Sequence, residues 1–231
     1  MSLCIIPARG GSKRIPRKNI RNFRGQPMIA WSIQAAQKSG CFERIVVSTD
    51  DEEIASISLS FGAEVPFKRP PRLADDYSGT REVVVHAIDA LEDGICVGED
   101  VCCMYATAPF VTEKLLTKTY NIFKKRQYDS LFPAIKYSFP IQRAIKIDNS
   151  GKMKMFYPEH ISTRTQDLPI AYHDSGQFYW VKAPTILKEK KLWTDNTGIL
   201  ILSELESHDI DTLEDWKIAE LKYRILNKIN V

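Results

Sequence analysis

An apolar run, Leu3-Cys4-Ile5-Ile6-Pro7-Ala8, breaks without a spacer into Arg9-Gly10-Gly11-Ser12-Lys13-Arg14, and this junction constrains the fold more than any other stretch. A short run of mostly branched apolar residues predicts a strand buried on both faces, as in parallel sheets. Glycines directly after such a strand let backbone N–H groups converge on an anion, because no Cβ blocks close approach. Eight Lys and Arg lie within residues 1–42, and the first acidic residue is Glu43. The whole chain is only +3, so residues 43–231 sum to −5. The positive charge is local, which predicts a polyanion site beyond the first strand.

The same alternation continues downstream. Pro27 sits at a predicted first helical turn, with Met28, Ile29, Ile33 and Ala36 at helical spacing and Gly40 as the stop. Arg44 to Thr49 reads as a second strand, and Asp50 as the cap of a helix that runs to Gly62. Glu64-Val65-Pro66 reads as a short strand, Thr80 to Leu91 as a helix, and Asp100 to Tyr105 as a strand. Thr112 then caps a helix ending near Arg126. Strand–helix alternation over about 125 residues predicts a three-layer α/β/α fold with a mainly parallel mixed sheet, Rossmann-like in outline. Ligands of such sheets bind beyond the carboxyl ends of the strands, where the basic loop would sit.

From Ser130 the pattern changes to strands and turns: Ser130 to Lys136, Ile141 to Asp148, a turn at Asn149-Ser150-Gly151, and Lys152 to Tyr157. This is a β-rich insertion, about residues 133–175. Gln177 to Val181 and Gly198 to Leu202 read as returns to the main sheet, and Thr212 caps a last amphipathic helix. With no internal repeat, low-complexity tract or long linker, one domain spanning 1–231 with an insertion is expected. Hydrophobic residues at 44% and charged residues at 26% suit a soluble globular protein with a real core. No apolar run is long enough to span a bilayer, and the N-terminus lacks the pattern of a signal peptide, so a cytoplasmic protein is expected. Five scattered cysteines, Cys4, Cys41, Cys96, Cys102 and Cys103, favour reduced buried thiols over disulfides or zinc.

The basic glycine loop is neither a P-loop, since Gly-x-x-x-x-Gly-Lys-Ser/Thr is absent, nor a dinucleotide fingerprint, since Gly-x-Gly-x-x-Gly is absent. A basic arm on nucleic acid is a further reading, disfavoured by the acidic remainder of the chain and the lack of a recognition module. A solvated charged face around a tight turn also fits the residues taken alone.

Ile6-Pro7-Ala8-Arg9-Gly10-Gly11-Ser12-Lys13-Arg14-Ile15-Pro16-Arg17-Lys18-Asn19 closely resembles the signature of the sugar-activating cytidylyltransferases, above all the CMP-acylneuraminate synthetase group. The resemblance implies a nucleotidyltransferase whose loop wraps the triphosphate of CTP. It implies a nucleotide-binding set of Ala8, Arg9, Gly10, Gly11, Ser12, Lys13, Lys18 and Asn19, with catalytic roles for Arg9, Lys18 and Asp211. Arg69-Pro70-Pro71-Arg72-Leu73-Ala74 looks like the family's Arg-Pro-x-x-Leu-Ala element, from which Arg72 is expected to face the nucleotide. In Tyr105-Ala106-Thr107-Ala108-Pro109-Phe110, Thr107 and Pro109 match the family's Gln-Pro-Thr-Ser-Pro-Leu, which implies Thr107 at the nucleotide, while Tyr105 replaces a glutamine associated with the sugar pocket.

Asp209 and Asp211 alternate before the last helix, so in an extended segment both side chains share a face that can hold a hard cation. The plainer reading is that one of them or Thr212 caps the helix. The resemblance implies that they bind Mg²⁺. Adjacent His173, Asp174 and Ser175 do not make a hydrolytic triad, because neighbours in sequence diverge. The stretch Arg164-Thr165-Gln166-Asp167-Leu168-Pro169, with Tyr172-His173-Asp174-Ser175-Gly176-Gln177-Phe178-Tyr179, instead resembles the family's sugar-acid segment. Its wording, with Phe139-Pro140-Ile141-Gln142-Arg143, is most similar to the bacterial branch that activates pseudaminic acid for flagellin or surface glycans. That branch implies Tyr105, Arg164, Gln166, Tyr172, Asp174 and Gln177 at the sugar, a nine-carbon acid. It implies a homodimer joined through the β-rich insertion. Sialic, legionaminic or Kdo acid as substrate, and a nucleotide-binding module without catalysis, are the alternatives.

Overall fold

The computed structural model describes residues 2–91, 100–189 and 191–228. The elements follow in chain order. β1 (Ser2–Pro7) leads through the basic loop to the short strands β2 (Asn22–Phe23) and β3 (Gln26–Pro27) and to α1 (Met28–Ser39), which Gly40 ends in the left-handed conformation at φ 62°. β4 (Arg44–Ser48), α2 (Glu52–Ser60) and α3 (Thr80–Asp89) come next, then β5 (Asp100–Met104), α4 (Glu113–Arg126) and β6 (Ser130–Lys136). The insertion carries the hairpin of β7 (Ile145–Ile147) and β8 (Met153–Met155), and ends at β9 (Tyr172–Asp174). β10 (Phe178–Lys182), α5 (Ala183–Glu189), β11 (Thr197–Leu202) and α6 (Leu213–Leu226) complete the chain.

The main sheet runs β11-β6-β10-β5-β1-β4, with β9 added on β6. β1, β4, β5, β6 and β11 share one direction; β10 runs against both β5 and β6, and β9 against β6. The expected mainly parallel mixed sheet is therefore present.

Period two along the strands divides the core into two layers. Cys4 and Ile6 of β1 pack on one face with Ile29 and Ile33 of α1 and Leu116 and Phe123 of α4. Leu3 and Ile5 pack on the other with Val84, Ala87 and Ile88 of α3 and Ile186 of α5. Trp180 anchors the first layer: it stacks on Phe42 at 5.1 Å between ring centres, and its indole N–H donates to Thr119 Oγ1 at 3.0 Å. Such a buried ring contributes roughly 3–5 kcal/mol against truncation to alanine. α6 closes a third cluster with Ile15, Phe23, Met28, Phe110 and Ile210.

Four expectations change in detail. Asp51, not Asp50, caps α2: its carboxylate accepts from Glu53 and Ile54 N–H, while Asp50 turns to the basic loop. Glu64-Val65-Pro66 makes a single bridge, Glu64 to Val46, and Pro66 has no N–H to extend it. The insertion begins at Tyr137, because β6 keeps pairing with β11 through Ile135. Within it Ile141–Arg143 forms a 3-10 turn, so the strand expected from Ile141 is confined to Ile145–Ile147.

Cys4, Cys102 and Cys103 are buried and Cys41 half-buried, all as free thiols, with burial raising the pKa of Cys103; Cys96 lies outside the described residues. No helix among the described residues is long and apolar enough to cross a membrane.

Candidate active site

The basic loop leaves β1 at the carboxyl edge of the sheet and borders a cavity of about 210 Å³. Arg9, Ser12, Lys18 and Asn19 reach it from the loop, Tyr105 and Thr107 from the end of β5, Ser78 and Thr80 from the start of α3, and Arg69 from below. Four segments distant in sequence thus meet at one edge, because the strands bearing them run the same way.

Backbone contacts shape the loop. Ala8 N–H donates to Ser48 O at 2.9 Å, Gly10 N–H to Asp50 Oδ1 at 3.0 Å, and Ser12 N–H to Gly10 O at 3.0 Å. A Cβ on Gly10 would stand 2.6 Å from Asp51 Oδ2, so this position requires glycine, whereas Gly11 faces open space. Asn19 is buried and ties the loop's two ends, its amide donating to Arg9 O at 2.9 Å while its carbonyl accepts from Ile29 N–H.

The loop's cations are held by carboxylates. Arg9 Nη1 lies 2.8 Å from Asp76 Oδ1 and donates to Asp75 O, and Lys13 also pairs with Asp76. Arg14 lies 2.9 Å from Asp211 Oδ1. Lys18 Nζ donates to Ile210 O at 2.6 Å and lies 3.4 Å from Asp211 Oδ1. Of these cations Arg9 and Lys18 border the cavity, while Lys13 and Arg14 stand exposed outside its lining; a polyanion can reach them by displacing the exposed carboxylates.

Arg69, like Ser78 and Thr80, is a cavity residue that the sequence reading missed. It is 3% exposed and donates to the hydroxyl and carbonyl of Ser48, with no ion pair among the described residues. Burial lowers its pKa to about 10, which the Asp50 carboxylate partly offsets. A buried cation at a cavity without a carboxylate on it favours an incoming electron-rich group. Arg72, expected in this place, is exposed and borders a different groove with Arg81 and His86. The Arg-Pro-x-x-Leu-Ala spacing itself starts at Arg69, the signal that separates the two arginines.

Tyr105 and Asp174 are joined at the other end. The Tyr105 hydroxyl lies 3.0 Å from Thr80 Oγ1, and its ring meets that of Tyr179 edge to face at 5.8 Å. The Tyr179 hydroxyl donates to Asp174, and burial, then Tyr105 and Asp174, raise its pKa. The remaining expected sugar residues do not join this cluster. Arg164 and Gln166 are exposed on the insertion, where Arg164 pairs with Asp167 at 2.6 Å, and neither lines the cavity. Tyr172 is exposed on β9. Gln177 is 1% exposed and donates to Glu206 O at 2.7 Å, supporting the segment that leads to Asp209.

No group of three or more His, Cys, Asp and Glu among the described residues could by itself hold a metal. The pair Asp209 and Asp211 nevertheless fits Mg²⁺, which takes one or two carboxylates with substrate phosphates and water as its other ligands. Partial loss of solvent, and then the Asp211 carboxylate, raise the pKa of Asp209. A cation would relieve that repulsion. Thr212 is the cap of α6: it accepts from Asp215 N–H and Asp215 returns the bond; Asp211 N–H also donates to Asp215, and the carboxylates of Asp209 and Asp211 take no part in the cap.

The family model "Cytidylyltransferase" matches residues 3–220. The chain is 42% identical over 224 residues to a pseudaminic acid cytidylyltransferase of Campylobacter jejuni, covering 97% of each chain. It is 33% identical to a CMP-N,N'-diacetyllegionaminic acid synthase of Legionella pneumophila, covering 94% of each. Among solved structures, CMP:2-keto-3-deoxy-manno-octonic acid synthetase complexed with CTP superposes with a TM-score of 0.70 over 99% of both chains at 13% identity, a likeness of fold. The chain belongs to the cytidylyltransferase family.

Proposed function

We propose that the chain transfers CMP from CTP to the anomeric hydroxyl of pseudaminic acid, releasing pyrophosphate, as a step in building flagellin or surface glycans. The observation that carries this reading is the cationic cavity at the end of β1, in a chain 42% identical over almost its whole length to an enzyme named for that reaction. The legionaminic acid synthase at 33% identity makes legionaminic acid the second candidate substrate.

The reaction needs two polyanions held in line and charge neutralised as pyrophosphate departs; positioning and electrostatics supply most of that. Lys18, on a short tether to Ile210, is placed to follow the phosphate chain, and Arg9 and Lys13 to exchange Asp76 for phosphate oxygens. Arg69 offers donors inside the cavity to the nucleotide. Asp209 and Asp211 would hold Mg²⁺, which when bound withdraws charge from the α-phosphate and lowers the pKa of the attacking hydroxyl. Tyr105 and Asp174 would read ring substituents of the sugar acid. The exposed apolar arm, with Phe139, Ile147, Met153 and Phe156 between 56% and 80% exposed, supports a homodimer that covers it. Free buried thiols support a cytoplasmic location. The test is pyrophosphate release from CTP with a panel of pseudaminic, legionaminic, sialic and Kdo acids; release with none of them would overturn the proposal.

A further inference from the structure

Gly10 and Arg17, the two ends of the basic loop, converge on neighbouring carboxylates where β4 gives way to α2. Gly10 N–H donates to Asp50, and Arg17 grips Asp51 with both terminal nitrogens, at 2.5 and 2.9 Å. A second contact joins Arg17 to Glu53 at 2.5 Å. The Arg17 backbone lies in the left-handed region at φ 56°, a strained conformation for a residue with a Cβ. Its carbonyl accepts from both Ile20 and Arg21 N–H, so the residue opens the turn that follows it. Lys18 is the next residue, and its half-buried side chain crosses to Ile210 and Asp211.

We propose that Arg17 is a positioning residue: its fork on Asp51 holds the left-handed turn that aims Lys18 into the cavity, fixing the loop before the nucleotide arrives. Asp51 is already fixed from the other side, since its Oδ1 also accepts from the first amides of α2. The fork, and only secondarily those amides, holds the Asp51 carboxyl near a pKa of about 2, so the pair stays charged wherever the enzyme would work. An isolated surface ion pair contributes little, but a bidentate one that restrains a strained backbone saves the ligand the cost of ordering it. The proposal rests on the reading of the loop as the CTP-triphosphate site.

The test separates backbone from charge. Arg17→Gly keeps access to the left-handed region and removes the fork; Asp51→Asn keeps an oxygen to cap α2 and removes the charge; Arg17→Lys keeps a charge without the fork. KM for CTP and for the sugar acid, kcat, thermal midpoint and calorimetric CTP affinity are measured on the full chain. The expected result is a loss of about tenfold in CTP affinity for Arg17→Gly and for Asp51→Asn, with kcat and the sugar-acid KM within about twofold. Arg17→Lys falls between, and the Arg17→Gly/Asp51→Asn double variant is no worse than either single. Unchanged CTP affinity in Arg17→Gly would overturn the inference. So would equal losses for both substrates tracking a fall in thermal midpoint, which a merely structural role gives. Calorimetry reads the clamp without turnover, so wild-type protein that binds CTP but releases no pyrophosphate would fault the proposed reaction and leave the clamp measurable.

Discussion

Lys18 Nζ and Asp211 Oδ1 stand 3.4 Å apart, although 193 positions separate them in the chain. The contact joins the basic loop after β1 to the segment that precedes α6. It brings the proposed triphosphate cation and the proposed metal carboxylates into one site.

Asp211→Ala removes a carboxylate that two cations, Arg14 and Lys18, approach. Thr212 and Asp215 still cap α6, so the fold is expected to persist, with an unchanged far-UV spectrum. Mg²⁺-dependent pyrophosphate release should fall by about a hundredfold or more, the scale of losing one preorganised electrostatic group. Normal turnover in this variant would remove the metal role from Asp211.

Lys18→Ala should weaken CTP much more than CMP. The difference expected is at least about tenfold, because a charge-assisted contact is lost only by the ligand with the longer phosphate chain. Competition titrations with the two nucleotides check this. Equal losses would mean that Lys18 does not meet the triphosphate.

Asp76 already occupies Arg9 and Lys13. Asp76→Asn should free both cations and lower the CTP KM by roughly twofold to fivefold, the small range appropriate to an exposed pair, and the gain should shrink as salt rises. An increase in KM would show instead that Asp76 supports the bound state.

Tyr105→Gln replaces a ring that packs against Tyr179 and whose hydroxyl meets Thr80. Relative kcat/KM among pseudaminic, legionaminic and sialic acids should shift by about tenfold or more, since unpaired polar groups in a pocket discriminate strongly. An unchanged ranking would reduce Tyr105 to a packing residue.

The sheet and its helices were legible wherever the signal is local. The β1 run, the left-handed stop at Gly40 and the Thr112 and Thr212 caps depend on residues within a turn of one another. Adjacent candidates were harder: Asp50 and Asp51 look alike in sequence, and only the direction of the Gly10 amide separates loop anchor from helix cap. Arg69 and Arg72 differ in burial, which comes from contact with Ser48; the sequence carries that difference only in the Arg-Pro-x-x-Leu-Ala spacing, which starts at Arg69. A resemblance in motif puts Arg164 and Gln166 at the sugar, but both are exposed on the insertion and outside the cavity lining, a placement that depends on how the insertion folds rather than on the motif. The Lys18–Ile210 contact spans 192 positions and could emerge only from the completed sheet.

Whether this chain joins CMP to pseudaminic acid is read most directly from the initial rate of pyrophosphate release with CTP, Mg²⁺ and each of the four sugar acids. The highest kcat/KM is expected with pseudaminic acid, about tenfold or more above any other acid. A higher value for legionaminic, sialic or Kdo acid would contradict it.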